Sequence, residues 1–145
     1  MSQIKTFEEL TSHLSSMKER PTVAVACPYD EETCGAVSKA LADGFIKAVL
    51  VGEKEKIEAS GIEKRFPELV SVVEATDSHD AAAKAVAVVR SGQASILMKG
   101  LVNTDDLLRA VLNKETGILP AGNLLTHVTV SEIPGPDRRP SFPIF

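Results

Sequence analysis

The sequence is poor in cysteine, in basic residues relative to acidic ones, and in long apolar runs. Its two cysteines, Cys27 and Cys34, match neither a zinc site nor a CxxC pair, so reduced thiols are expected. The 16 basic and 20 acidic residues give a formal net charge of -4. Because nucleic acids and anionic membranes are bound through basic patches, we expect neither as a partner. No apolar run approaches the ~20 residues of a membrane span, and residues 1–6 lack a signal-peptide pattern, which favours a cytoplasmic location.

General catalytic and cofactor motifs are also missing. The sequence has no GxxxxGKS/T loop for nucleotide phosphates, no GxGxxG after the first predicted strand, and no GxSxG nucleophile elbow. The histidines His13, His79 and His127 do not share a metal-ligand spacing, and His79 suits the first turn of a helix without any other role. Cys34 follows a run of carboxylates, which raise the pKa of a thiol and disfavour a nucleophilic role. Residue chemistry alone therefore assigns no metal and no catalytic residue.

What the sequence does contain is a repeated alternation of strand and helix patterns. With 145 residues, 43% of them hydrophobic and 25% charged, the chain is long enough for one globular domain with a core. Apolar runs predict strands, and apolar residues at helical spacing predict helices between them. The predicted strands cover residues 22–27, 45–51, 70–75, 96–98 and 127–133, and predicted helices begin at Phe7, Glu31, Glu53, His79 and after Thr104. This alternation is typical of a parallel sheet with helices on both faces.

Local signals set the expected ends of several elements. Thr6 begins a capping box for the first helix. Gly44 and Gly61 are expected to end helices, Gly44 in the left-handed conformation, which glycine adopts readily. Asp77 or Ser78 is expected to cap the long helix that follows. The predicted packing face of that helix consists of Ala83, Val86, Ala87 and Val89.

One stretch combines a strand, a break and a new helix with basic side chains. Residues 96–98 predict a short buried strand, Lys99 and Gly100 interrupt it, and Thr104 is predicted to cap the next helix. A helix N-terminus offers free N–H donors and partial positive charge, and Lys99 adds a full charge. Arg109 could present a second cation from one face of that helix. The stretch is thus a candidate anion site.

An alternative interpretation of the same residues is structural. Lys99 can be a surface lysine at a turn, and Arg109 a solvated side chain on a helix. Asp105 and Asp106 lie in the predicted first turn and would repel a phosphate. Local chemistry by itself favours this structural interpretation.

Longer sequence matches carry a family resemblance. Residues 96–104, ILMKGLVNT, and residues 107–115, LLRAVLNKE, resemble the phosphate acetyl/butyryltransferase family and are most similar to its phosphate butyryltransferase branch. Further similar segments follow the family's order at residues 50–57, 124–130 and 132–135. The resemblance covers about residues 22–135.

The resemblance implies a fold and an activity. The fold would be a three-layer α/β parallel-sheet domain, similar to the first domain of isocitrate and isopropylmalate dehydrogenases and incomplete. The activity would be reversible transfer of an acyl group between coenzyme A and inorganic phosphate, with the coenzyme A thioester as substrate and no other cofactor. Carried over by position, Lys99, Gly100, Thr104 and Arg109 become the phosphate-binding residues, which raises the anion-site interpretation above the structural one. A homo-oligomer is possible.

The C-terminal residues depart from the family pattern. Residues 136–145 contain Pro136, Pro140 and Pro143, which cannot form the central strand expected there because proline lacks a ladder donor. We therefore predict an N-terminal α/β domain over residues 1–135 and an irregular tail over 136–145, produced by truncation or a frameshift.

Three functional alternatives remain open at this point. The chain can be a phosphate acyltransferase that half-builds the phosphate and coenzyme A site and would need the missing half for turnover. It can be a non-catalytic remnant that binds a small anion, or that associates with itself or a full-length relative through an exposed sheet edge. It can also be a flavodoxin-like binding domain, which the alternation permits and the quoted motifs disfavour.

Overall fold

The computed structural model describes residues 3–135 and 139–141. The chain divides into two compact units, residues 20–124 and residues 1–19 with 125–145, and each is described by itself. The helices are α1 (Phe7–Ser15), α2 (Glu31–Ala42), α3 (Lys54–Ser60), α4 (Ile62–Arg65), α5 (Ser78–Arg90) and α6 (Thr104–Leu112). The strands are β1 (Thr22–Ala26), β2 (Lys47–Gly52), β3 (Val70–Glu74), β4 (Ile96–Lys99), β5 (Ile133–Pro134) and β6 (Pro140–Ser141).

The larger unit, residues 20–124, is built on a parallel sheet with the strand order β3-β2-β1-β4. Successive side chains of a strand point to opposite faces of the sheet. On one face, Ala24 and Val49 pack with α5 and α6, and on the other, Val25 and Leu50 pack with α2, α3 and α4. Because both faces are covered, β1 is a continuous run of small and β-branched residues. The predicted three-layer α/β class is confirmed.

The ends of the helices follow the local signals. The Asp30 side chain accepts a hydrogen bond from the Thr33 N–H and caps α2, and Asp77 caps α5 in the same way. Gly44 and Gly61 have φ angles of 82° and 68°, as expected for glycines that end helices. These boundaries depend on residues close in sequence, and their prediction is confirmed.

The predicted packing face of α5 is wrong in part. Val86 is buried, but Ala83 and Ala87 are exposed and Val89 is only half-buried. α5 contacts β1, β2 and β4 on one side and α6 on another, so its buried surface is rotated and wider than one stripe. The residues that it buries are Ala81, Ala82, Ala85, Val86 and Val88.

Strand β4 forms as predicted, but its predicted burial is wrong. In the part of the chain that the structure describes, β4 pairs only with β1 and is therefore an edge strand. Ile96 is 45% exposed, and Leu97 and Met98 are half-buried. An apolar run predicts a strand but not how many neighbours cover it.

The smaller unit contains α1 and a short antiparallel pair, β5 with β6. The predicted cap of α1 is confirmed, since Thr6 accepts from the Glu9 N–H at 3.1 Å, although the Glu9 carboxylate bonds to the Lys5 N–H. The predicted strand over residues 127–133 is wrong, because only Ile133 belongs to a strand. Alternating polarity makes a strand possible, but a ladder also needs a neighbouring backbone.

Residues 136–138 and 142–145, which belong to the predicted tail, lie outside the described residues. The division of the chain at residue 135 and the origin of the tail stay predictions. Within residues 3–135 and 139–141, none of the helices has the length and the apolar character required to cross a membrane.

Candidate functional site

The strand order defines a switch point in the sheet. The chain leaves β1 toward β2 and β3 on one side, then crosses back through α5 to β4 on the other side of β1. In open α/β sheets, ligands bind outside the carboxyl ends of the strands where the order reverses in this way. We call the two loops at this place, residues 27–30 after β1 and residues 99–103 at the end of β4, the switch point.

The two loops of the switch point are joined by backbone hydrogen bonds. The Gly100 N–H donates to the Ala26 carbonyl at 2.8 Å, and the Leu101 N–H donates to the Cys27 carbonyl at 2.8 Å. A Cβ atom at residue 100 would lie 2.6 Å from the Ala26 oxygen and closer still to the Cys27 oxygen. Only glycine allows this approach. Gly100, which the sequence predicts to interrupt the strand, therefore also brings the β4 loop into contact with the backbone of the loop after β1.

The switch point carries one exposed ammonium and one carboxylate. Lys99 lies opposite Ala26 in the sheet, and its Nζ donates to the Gly100 carbonyl at 3.3 Å. The Asp30 pKa is lowered, chiefly by hydrogen bonds from the Thr33 backbone and side chain and to a smaller extent by the charge of Lys99. The other Asp30 oxygen, Oδ1, has no hydrogen-bond partner among the described residues. To bind an anion, the Lys99 ammonium would exchange its hydrogen bond to the Gly100 carbonyl for one to the anion. The negative charge of Asp30 lowers the local positive potential.

The two thiols near the switch point are poor nucleophiles. Cys27 is fully buried, and its burial raises its pKa. The Cys34 pKa is also raised, first by burial and then by the charge of Asp30, and its thiol donates to the Pro28 carbonyl at 3.0 Å. The predicted direction for Cys34 is confirmed, although burial contributes more than the neighbouring carboxylates. Both thiols are protonated at neutral pH, since a raised pKa lowers the thiolate fraction.

The predicted cap at Thr104 is wrong. Asn103 has extended backbone angles, and its side chain accepts a hydrogen bond from the Asp105 N–H at 2.8 Å. Thr104 is the first residue of α6, and its side chain is exposed. Both residue types cap helices well, and the path of the loop from Gly100 decides which of them takes the position.

This correction gives a testable expectation for stability. Asn103→Ala should lower the free energy of unfolding by about 1 kcal/mol, because the Asp105 N–H loses its partner. Thr104→Ala is the matched control and should change it by less than about 0.5 kcal/mol, since alanine is tolerated inside a helix. Urea denaturation followed by circular dichroism measures both. A larger effect for Thr104→Ala would contradict the assignment.

Arg109 lines a groove to which Lys99 does not contribute. This arginine is five residues beyond Thr104, about 7.5 Å along α6 and about 140° around the helix from it. Arg109 lines a groove of about 160 Å³ between α5 and α6, together with Asp106 and Asn113. The structure therefore brings Lys99 and Gly100 to the switch point, with Thr104 just beyond it, and places Arg109 in a separate groove.

The same groove contains a residue to which the sequence assigned no role beyond its helix. His79 Nδ1 lies 3.9 Å from Asp106 Oδ1, and both side chains line the groove with Arg109. Because α5 and α6 are distant in sequence, local patterns contain no signal for this contact. Among the described residues, no group of three His, Cys, Asp or Glu side chains is arranged to hold a metal ion.

Fold and site together define a three-layer α/β domain with a candidate ligand site at the switch point of its sheet. The chain is 44% identical over 139 residues to phosphate butyryltransferase from Clostridium beijerinckii, and 40% identical over 136 residues to that from Clostridium acetobutylicum. These matches cover 92% and 93% of this chain and 44% of each relative. A phosphate acetyltransferase from Rhizobium meliloti is 39% identical over 119 residues, covering 81% of this chain and 37% of the relative.

A solved structure is also similar. A branched-chain phosphotransacylase from Enterococcus faecalis V583 aligns with a TM-score of 0.54 and 28% identity, over 66% of this chain and 33% of that one. No protein-family model matches the chain. The resemblance to the phosphate acetyl/butyryltransferase family is confirmed, and the chain spans less than half the length of the relatives that it matches.

Proposed function

We propose that the chain is part of a phosphate acyltransferase that moves an acyl group between coenzyme A and inorganic phosphate. The observation that carries this proposal is the 44% identity to a phosphate butyryltransferase over 92% of the chain. Among the three relatives named above, the highest identity, 44%, is to a phosphate butyryltransferase, so the proposal takes a butyryl-type acyl group as the first substrate to test. The coenzyme A thioester is a substrate, and no further cofactor is invoked.

The proposed chemistry needs a cation beside the phosphate. In one direction, the coenzyme A thiolate attacks the carbonyl carbon of the acyl phosphate, the C–O bond to phosphate breaks, and phosphate leaves with the electron pair. In the other direction, a phosphate oxygen attacks the thioester and the thiolate leaves. Both directions pass through a state with negative charge on the phosphate and the carbonyl oxygen, which fixed positive groups stabilise more strongly in a closed site than in water.

Lys99 and Gly100 have the strongest geometric support as the residues that bind phosphate, and we call these two residues the phosphate seat. Lys99 carries an ammonium at the switch point, and Gly100 brings the β4 loop against β1 without a side chain in the way. Thr104 lies in the first turn of α6, where its exposed hydroxyl would reach a phosphate from the helix end. Arg109 belongs to the proposal through the groove between α5 and α6, where it would bind a second part of the ligand.

A non-catalytic role is the second candidate. Among the described residues no strand pairs with the outer edge of β4, and the Ile96 side chain there is exposed. Both features favour association with another copy or with a longer relative, because an open strand edge offers unpaired backbone groups. A cytoplasmic location is part of both candidates. It is supported by Cys27 and Cys34, neither of which forms a disulfide.

Phosphate binding by the 145-residue chain tests the seat directly. Lys99→Met should weaken phosphate binding about 10-fold or more, because a charge-assisted hydrogen bond contributes about 1.5–3 kcal/mol. Isothermal titration calorimetry with inorganic phosphate measures the dissociation constant. Lys64→Met removes an exposed lysine of α4 and is the matched control for net charge.

The possible results distinguish phosphate binding at Lys99 from turnover of the acyl substrate. An equal effect of Lys64→Met and Lys99→Met would show that only the net charge matters, and would contradict the seat. Arg109→Ala reports whether the groove between α5 and α6 contributes. A thiol-release assay with butyryl-coenzyme A and phosphate then tests turnover, and phosphate binding without turnover would favour the non-catalytic candidate for the isolated chain.

A further inference from the structure

The loop after β1 is held at its far side by Tyr29. The Glu53 N–H at the end of β2 donates to the Tyr29 hydroxyl at 2.6 Å. The Lys56 Nζ lies 5.1 Å from the centre of the Tyr29 ring and 2.8 Å from a Glu53 carboxylate oxygen. Tyr29 is thus anchored to β2 and α3 through its hydroxyl and through its ring face.

Gly52 makes the space for this side chain. A Cβ atom at residue 52 would lie 3.0 Å from a Tyr29 ring carbon and closer still to its hydroxyl. A methyl group there would push the phenol out of its place. The position of Tyr29 therefore depends on the absence of a side chain at residue 52.

The same loop contains a backbone conformation that needs support. Cys27 has a φ of 55°, in the left-handed region, although it is not a glycine. Such a conformation persists where surrounding contacts hold it. One hydrogen bond, from the Cys27 N–H to the Val51 carbonyl at 2.8 Å, fixes the start of the turn.

The Cys27 carbonyl links Tyr29 to the β4 loop. It accepts the Tyr29 N–H at 2.9 Å and the Leu101 N–H at 2.8 Å, one donor from each loop of the switch point. If Tyr29 were released, Cys27 could relax toward an extended conformation and turn its carbonyl away from Leu101. The contact that places Lys99 and Gly100 would then loosen.

We infer that Tyr29 is a positioning residue for the phosphate seat: seated over Gly52 and bonded to Glu53, it holds the Cys27 carbonyl that fixes the Leu101 amide. This inference rests on the proposed function, since it assigns the phosphate to Lys99 and Gly100. Burial raises the pKa of Tyr29 to about 12, so the phenol stays neutral near neutral pH and holds the loop without ionising.

The test uses two variants that release the same contact from opposite sides. Tyr29→Phe keeps the ring and leaves the Glu53 N–H without its partner, and Gly52→Ala displaces the phenol. In both, the Leu101 amide should exchange with solvent about 10-fold faster relative to the Leu50 amide of β2, which reports global opening. Phosphate binding should weaken about 3-fold to 10-fold, the range expected for losing a single neutral hydrogen bond that supports the seat.

Two further variants exclude a general loss of stability. Val70→Ala, at the opposite end of the sheet, should destabilise the fold without changing the relative exchange of Leu101 or the affinity for phosphate. Cys27→Gly in the Tyr29→Phe background should partly restore the slow exchange of the Leu101 amide and the affinity for phosphate, because glycine adopts the left-handed conformation without support.

The results distinguish this inference from the proposed function. Unchanged Leu101 exchange in Tyr29→Phe and Gly52→Ala would overturn the inference, as would faster exchange with an unchanged phosphate affinity while Lys99→Met still weakens binding. If wild-type protein does not bind phosphate, or Lys99→Met has no effect, the proposed seat fails and the inference fails with it.

Discussion

Gly100→Ala is expected to lower the free energy of unfolding by about 2–4 kcal/mol, the sum of overpacking and lost hydrogen bonds. The added methyl group would collide with the Ala26 and Cys27 carbonyl oxygens, which belong to the backbone and cannot rotate away. The β4 loop would have to leave β1 and would lose the hydrogen bonds from Gly100 and Leu101. Phosphate binding should weaken more than 10-fold, because Lys99 moves with this loop. Urea denaturation and calorimetry measure the two effects.

The matched control is another glycine in the larger unit, residues 20–124. Gly35 lies inside α2, and a Cβ atom there would meet no atom within 4 Å. Gly35→Ala should therefore stabilise the protein by about 0.5–1 kcal/mol, since alanine is the better helix former. Gly100→Ala with a stability within about 0.5 kcal/mol of the wild type would show that the close approach to β1 is not required.

Leu50→Ala is expected to cost about 2–5 kcal/mol, a large part of the ~5–15 kcal/mol that holds a domain of this size together. Leu50 lies on β2, is 0% exposed, and packs in the cluster that includes Leu41 and Ile57. Removing its side chain would leave a cavity between the sheet and the helices α2 and α3. The free energy of unfolding in urea measures the loss.

Two leucine variants set the scale for this result. Leu50→Met should cost less than about 1.5 kcal/mol, because it preserves most of the volume. Leu101→Ala should change stability by less than about 0.5 kcal/mol, because that side chain is 62% exposed. If Leu50→Ala and Leu101→Ala have similar small effects, the side chain of Leu50 does not face the core.

Short-range chemistry made several elements predictable. Asp30 and Asp77 accept hydrogen bonds from N–H groups within a few residues and cap α2 and α5. Gly44 and Gly61 adopt left-handed angles at the ends of α2 and α3. Each signal acts within one turn of chain, so it does not depend on what the helix packs against. The continuous apolar run of β1 was informative for a related reason, because a strand covered on both faces has no polar side to place.

Most of the wrong predictions concern contacts between distant segments. The alternating residues 127–133 do not form the predicted strand, since a strand requires a partner that the pattern does not specify. The face of α5 follows from α6 and the sheet together, and the burial of β4 follows from its place at the edge of the described sheet. The observed cap of α6 is Asn103, one residue before the predicted Thr104, because hydrogen bonds to the loop after β1 fix the path of the preceding residues.

The candidate site shows the same division. Lys99 and Gly100 could be singled out from a strand that ends in a basic residue and a breaker, before any fold was known. Their neighbours Cys27 and Tyr29 carry no motif of their own and reach them only through the pairing of β1 with β4. Arg109, which the sequence grouped with Lys99, lines a groove together with His79 and Asp106.

The sequence by itself determined the class of fold, the ends of several helices, the family resemblance and the Lys99–Gly100 break, since these depend on local preferences and on residue order. Only the tertiary structure decided that Gly100 touches the backbone after β1, that Tyr29 lies over Gly52, and that Arg109 belongs to a different groove. The physical reason is that parallel strands join segments separated by a whole crossover, and no local pattern encodes the atoms that then come into contact.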